Sequence, residues 1–269
     1  MNTARSLCRA LVVAAFAAVA AFSCPGGSAF AGQRCEPRQP SVDELRRNLE
    51  LAADTARRLD ASGAEVVMLA RAGQDLSAYG LSYSHLGIAY RDHAALDGRG
   101  AWRVVHKLNH CGSDRASVYR HGLAEFFSDG LHRWEAGIVL LPATIQAASL
   151  ADDRLLAQLH EPRYNMLAYP WASHYQQSNQ WALETLALLL EPGADSRERA
   201  QAWLRLRDYR PTTLRIRSHQ RLGANVGSAH IRFDDHPFDR RMSGRIDTIT
   251  VDSIFDWLKR SGFGRPEHS

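Results

Sequence analysis

The sequence predicts an α+β fold in which an antiparallel sheet packs against helices, and three observations carry that expectation. Four runs rich in apolar and β-branched residues, 64–70, 81–90, 101–108 and 135–141, have strand length. The first three are joined by short polar loops, which favours an antiparallel meander over parallel strands with helical crossovers. Two longer segments, 41–61 and 178–190, carry apolar residues at helical spacing and supply layers to cover the sheet.

In chain order, residues 41–61 read as the first helix. Ser41 with Glu44 three residues later is a capping box, and Leu45, Leu49, Leu51, Ala52, Ala56 and Leu59 follow the helical period. Residues 64–70 (AEVVMLA) read as a buried strand, 71–79 as a polar connection, and 81–90 as a second strand carrying His85. Asp97-Gly98-Arg99-Gly100 is a turn signal leading into a third strand, 101–108. Residues 117–127 read as a helix, 135–141 as a strand stopped by Pro142, 144–160 as a helix, and 164–177 as an irregular aromatic stretch. The segment 178–190 is the clearest helix after the first. It has Ser178 at its start, Trp181, Leu183, Leu186 and Leu190 on or near one face, and Pro192-Gly193 as a stop. An Arg-rich helix over 196–206, late strands over 226–233 and 246–251, and a closing helix over 252–260 complete the expectation. The tail beyond Gly262 is expected to fray.

The N-terminus reads as a secretory leader over residues 1–31. Arg5 and Arg9 give a positive start, 11–22 is an apolar core, and Ser28-Ala29-Phe30-Ala31 fits the small-x-small cleavage rule. Phe22 makes a poor lipoprotein box around Cys24, so a soluble periplasmic or secreted product is expected. Residues 32–269 then form a single domain with a C-terminal strand–helix extension. No later stretch approaches 18 apolar residues, so no transmembrane segment is expected after leader cleavage. The formal charge of +4 falls to about +2 without the leader's two arginines, which gives no electrostatic case for nucleic acid. Outside the leader two cysteines remain, Cys35 and Cys111. In an oxidising compartment a disulfide between them is favoured over the alternative, a Cys111 nucleophile near His106 and His110.

The candidate chemistry sits on two strands and one helix start. Alternation places Tyr83, His85, Gly87 and Ala89 on one face of the second strand, and Trp102, Val104 and His106 on one face of the third. Gly87 removes a side chain beside His85 and leaves room for backbone or ligand. If the strands are antiparallel neighbours, His85 and His106 lie side by side, one as base and the other fixing its tautomer. Ser178 is the candidate nucleophile, at a helix start whose free N–H groups stabilise an oxyanion; serine is also a preferred capping residue there. Tyr83, Asn179 and Gln180 are candidate substrate-binding residues. His106 with His110, and His230 with Asp234, Asp235 and His236, have no further ligands at recognisable spacing, so neither a metal nor a cofactor is expected.

The segments Ala70-Arg71-Ala72-Gly73-Gln74-Asp75-Leu76, Tyr83-Ser84-His85-Leu86-Gly87-Ile88-Ala89, Tyr164-Asn165, Ala168-Tyr169-Pro170 and Tyr175-Gln176-Gln177-Ser178-Asn179-Gln180-Trp181 resemble a family of secreted bacterial proteins known as a domain of unknown function. More distantly, their order is similar to the circularly permuted papain-like amidases and acyltransferases, the NlpC-type and lecithin retinol acyltransferase group. That resemblance implies a papain-like α+β fold, with His85 as base, His106 as orienting residue and Ser178 where the group has cysteine. It implies a hydrolase or acyltransferase acting on an amide or ester, with a cell-wall peptide or a lipid as ligand. The missing cysteine raises the alternative of a catalytically inactive binding or scaffold protein of the same fold.

Overall fold

The computed structural model describes residues 39–216 and 230–267. The chain opens with α1 (Val42–Ser62), followed by β1 (Val66–Ala72), β2 (His85–Asp92), β3 (Ala101–Asn109) and β4 (Ala116–Gly122). Then come α2 (Leu123–Phe127), β5 (Arg133–Leu140), α3 (Asp153–Gln158), α4 (Ser178–Leu190) and α5 (Arg197–Leu206). The last elements are β6 (Thr212–Arg215), α6 (Phe238–Met242), β7 (Arg245–Thr248), α7 (Val251–Ser261) and β8 (Arg265–Pro266). Eight strands make two antiparallel sheets among the described residues, one of order β4-β3-β2-β1-β5-β8 and a β6-β7 ribbon. The expected antiparallel sheet packed against helices is therefore present.

The main sheet is covered on both faces, which is why its central strands read as nearly continuous apolar runs. Val66, Met68 and Ala70 of β1 join Leu86, Ile88, Val105 and Val139 in a core under α4 and α7. The alternate residues Val67 and Leu69 join Ala89, Val104, Ile138 and Leu140 under α1 and α2. The capping box of α1 forms as expected, with Glu44 N donating to Ser41 Oγ and Ser41 N to Glu44 Oε2. Its buried stripe is Asn48, Ala52, Thr55 and Leu59, whereas Leu45 and Leu49 are largely exposed. Helix α4 is buried on nearly every side, with Trp181, Ala182, Leu183, Leu186 and Ala187 fully enclosed. That all-round burial marks a central helix.

Four local expectations change. Residues 117–122 are strand, and only 123–127 are helical, because Ser117, Tyr119 and His121 alternate with Val118 and Arg120 along an edge strand. The segment 144–160 breaks into a 3₁₀ turn, Ala147–Ala151, and the short α3, which starts on the Asp152 side-chain cap. Of the strand expected over 226–233, residues 226–229 lie outside the described residues and 230–233 are irregular. The tail is also held: β8 pairs with β5, and the Arg58 guanidinium grips the Glu267 carboxylate at 2.5 Å. No helix among the described residues is long and apolar enough to cross a membrane.

Candidate functional site

Three histidines on three successive strands form a hydrogen-bonded chain. His85 Nε2 lies 2.8 Å from His106 Nδ1, and His106 Nε2 lies 3.0 Å from His121 Nδ1. The sheet register builds this arrangement. His121 on β4 stands opposite Val104, two residues from His106 on β3, and the Ile88–Val105 pair sets β2 in step with them. Each ring therefore meets the next across a diagonal, close enough for long or aromatic side chains to touch. Gly87 makes the approach possible: a Cβ there would stand 2.5 Å from Val104 Cγ1 and 3.2 Å from His106 Cβ. The space expected beside His85 is thus filled by β3.

The environment keeps His85 and His106 neutral. His106 is fully buried, and Phe126 of α2 packs edge-on against it. Burial, reinforced by the Arg71 guanidinium, lowers the His85 pKa well below its ordinary value and pulls His106 down to about 2. Arg71 is itself buried, donating to the Phe126 carbonyl and paired with Asp129. A fixed cation beside desolvated imidazoles disfavours imidazolium at His85 and His106. At the outer end of the chain, Glu125 Oε1 lies 3.3 Å from His121 Nε2, one helical turn on in sequence and largely exposed.

Ser178 lies elsewhere. The histidines share the α1/α2 face with Phe126 and Val104, whereas α4 packs on the opposite face against Leu86, Ile88 and Val105. Ser178 is the first residue of α4, not its cap; Gln177 occupies the cap position, and its side chain makes no capping bond to the helix. The Ser178 side chain is hydrogen-bonded to the buried Tyr164 phenol, whose pKa burial pushes up to about 12. The structure joins His85 to His106 as expected, and it does not join either to Ser178. Tyr83 also departs from its expected face: it precedes β2, packs on Phe255 of α7 and donates to Glu135.

The segment around Ser178 is a structural node. Gln176 binds four groups: its Oε1 accepts from Lys107 Nζ and Glu161 N, and its Nε2 donates to Leu159 O and Glu184. Buried Glu184 also accepts from Arg197 and Gln201, and Arg197 donates to the carbonyls of Ala172, Ser173 and Tyr175. Gln177 reaches Thr248 and Ile249 in the C-terminal part of the chain. Asn179 Oδ1 and Gln180 Oε1 are buried without a partner among the described residues, a cost of about 1–3 kcal/mol each when nothing donates to them.

The other candidates resolve into structural bonds. His110 pairs with the Ser117 hydroxyl. His236 sits between the Asp235 carboxylate and the Asp247 carbonyl, Asp235 also accepts from Tyr169 N, and Asp234 accepts from the Tyr175 phenol. Among the described residues no group of three or more His, Cys, Asp or Glu is arranged to hold a metal ion. Cys111 follows β3, and its expected partner Cys35 lies outside the described residues. A cleft of about 520 Å³ separates the Gly80–Tyr83 turn from Arg210–Thr212 and the first turns of α7, with Arg210, Arg260, Asp252 and Asp256 on its walls.

His121 and Glu125 escaped the sequence reading because a helix was expected through them. The alternation of Val118 and Arg120 with Tyr119 and His121 was the available signal. Lys107 and Glu184 carried none, since each looks like an ordinary surface charge on an otherwise apolar element.

A family model described as "Uncharacterized protein conserved in bacteria (DUF2145)" matches residues 58–258. No curated protein and no solved structure matches the chain.

Proposed function

The chain belongs to the DUF2145 family, and we propose that it is an acid–base enzyme of the amide or ester hydrolase and acyltransferase type. In this reading His85 is the general base and His106 its orienting partner, with Ser178 outside the reaction. One observation carries it: the Nε2 of His85 is committed to His106, while its Nδ1 has no hydrogen-bond partner among the described residues. A ring oriented by a second imidazole, with one nitrogen free, is how a histidine base is prepared. Water or a hydroxyl of a second substrate is then the attacking group. A papain-like ancestry, cleavage of residues 1–31, a periplasmic or secreted location, a Cys35–Cys111 disulfide and cell-wall peptides or lipid esters as substrates belong to the same proposal.

Diethyl pyrocarbonate, which acylates neutral imidazole, tests it without a known substrate. The depressed His85 pKa is expected to keep its modification rate nearly flat from pH 7 to about 5.5. An ordinary histidine slows about tenfold per pH unit below its pKa of about 6.5. A fluorophosphonate probe is expected to leave Ser178 unlabelled. Absence of folding-dependent acylation at His85, or labelling of Ser178, overturns the reading.

The cleft favours a second reading, binding without turnover. Its two arginines and two aspartates suit a ligand carrying both charges, such as a short peptide. Saturation-transfer NMR with muramyl peptide fragments is expected to show contact that Arg260→Glu weakens several-fold. No contact with any fragment removes this reading.

A further inference from the structure

We propose that His85, His106, His121 and Glu125 act as one directional proton relay, in which Glu125 decides which nitrogen of every ring carries its proton. The inference rests on the reading of His85 as a base and adds two residues to it, His121 and Glu125, as positioning residues.

The direction follows from counting donors. A neutral imidazole has one N–H and one lone pair, so rings joined nitrogen to nitrogen must all point the same way. Only two orientations of the whole chain exist. A carboxylate can only accept, and Glu125 Oε1 stands 3.3 Å from His121 Nε2. That places the proton of His121 on Nε2 and leaves its Nδ1 to accept from His106 Nε2–H, 3.0 Å away. His106 Nδ1 then accepts from His85 Nε2–H at 2.8 Å. The lone pair left over is His85 Nδ1, the nitrogen with no partner among the described residues. Reversing the chain would put a proton on His85 Nδ1 and aim a lone pair at a carboxylate.

The same geometry makes the chain a conduit and not a reservoir. Arg71, buried beside the rings, opposes a resident imidazolium at His85 and His106. A proton taken by His85 is therefore passed on. A bond forms at His85 Nδ1–H. The Nε2 proton of His85 moves to His106 Nδ1, that of His106 to His121 Nδ1, and that of His121 to the Glu125 carboxylate. All three rings end neutral in the opposite tautomer, with one carboxylic acid at the far end. Glu125 is about 63% exposed, so it can exchange this proton with solvent, or return it along the chain to a leaving group.

The test is tautomer assignment by long-range ¹H–¹⁵N correlation in histidine-labelled full chain, for the wild type and Glu125→Lys. The exposed position makes folding of the variant expected, and Glu125→Gln, which keeps an acceptor, is the control. The wild type and Glu125→Gln are expected to show Nε2–H at His85, His106 and His121. In Glu125→Lys the ammonium donates to His121, and Nδ1–H is expected to appear at His85, two rings away. Nδ1–H at His85 in the wild type overturns the relay. So does a Glu125→Lys spectrum in which His121 shifts and His85 does not. The first result removes the base as well, since it takes away the free lone pair. The second does not touch the acylation of His85, so a reactive His85 with uncoupled tautomers leaves the base and removes the relay, and coupled tautomers with an unreactive His85 do the reverse.

Discussion

Lowering the pH from 7 to 5 is expected to remove about 2 kcal/mol of folding stability through His106 alone, and His85 acts in the same direction. Each pKa unit is worth about 1.4 kcal/mol, and pH 5 lies roughly 1.5 units below an ordinary histidine. The sign follows from the direction of the shifts. Both folded values are depressed, His106 to about 2, so the unfolded chain binds protons that the folded chain refuses. Their contribution is complete above about pH 6.5 and is lost as the pH falls. Urea unfolding at a series of pH values measures it, the slope giving the protons taken up on unfolding. His106→Gln is expected to take up about one proton fewer between pH 6.5 and 5. Equal slopes for the two proteins would show that the chain of rings is charged in the native state.

Glu184→Ala is expected to cost about 3–5 kcal/mol, the penalty typical of removing one partner from a buried ion pair. Glu184 is fully enclosed and Arg197 is 8% exposed, so the guanidinium left behind has no access to water. The loss spreads further, because Gln176 and Gln201 surrender an acceptor at the same time. Replacing Arg197 as well is not expected to restore stability, since it also donates to three backbone carbonyls in the segment leading to α4. For a chain of this size the melting temperature should fall by roughly 6–20 °C. A loss below 1 kcal/mol in urea would mean that the network is hydrated and not the anchor described.

The sheet was readable in the sequence because its strands announce themselves twice, by β-branched content and by length. Both long helices were readable too, α1 from its capping box and α4 from Pro192-Gly193 beyond its end. Pairing of His85 with His106 followed from strand alternation once the strands were taken as neighbours. The face on which each element packs was not readable. Strands buried on both sides, such as β1, give no apolar-in, polar-out contrast, so nothing in the sequence said that α4 would lie opposite the histidines. The motif from Tyr175 to Trp181 was read as a reactive turn because serine and amides at a helix start suit an oxyanion. The same residues suit the task they have in the structure, which is to satisfy buried charges and carbonyls around Lys107 and Glu184. Edge strand β4 was lost to a helix because Ala124, Glu125 and Phe126 are good company for one, and with it went the third histidine.

The ties around α4 also set an order in time. Its lead-in bonds to Lys107, 69 residues earlier in the chain, and to Thr248, 71 residues later. The central helix is therefore clamped by groups that must travel far along the contour to reach it, and loop closure over such distances is slow. A chain growing from its N-terminus can pair β1 to β4 early, yet its core stays open until residues near 248 arrive. Until then the amides that lead into α4 lack part of the set of partners that fixes them.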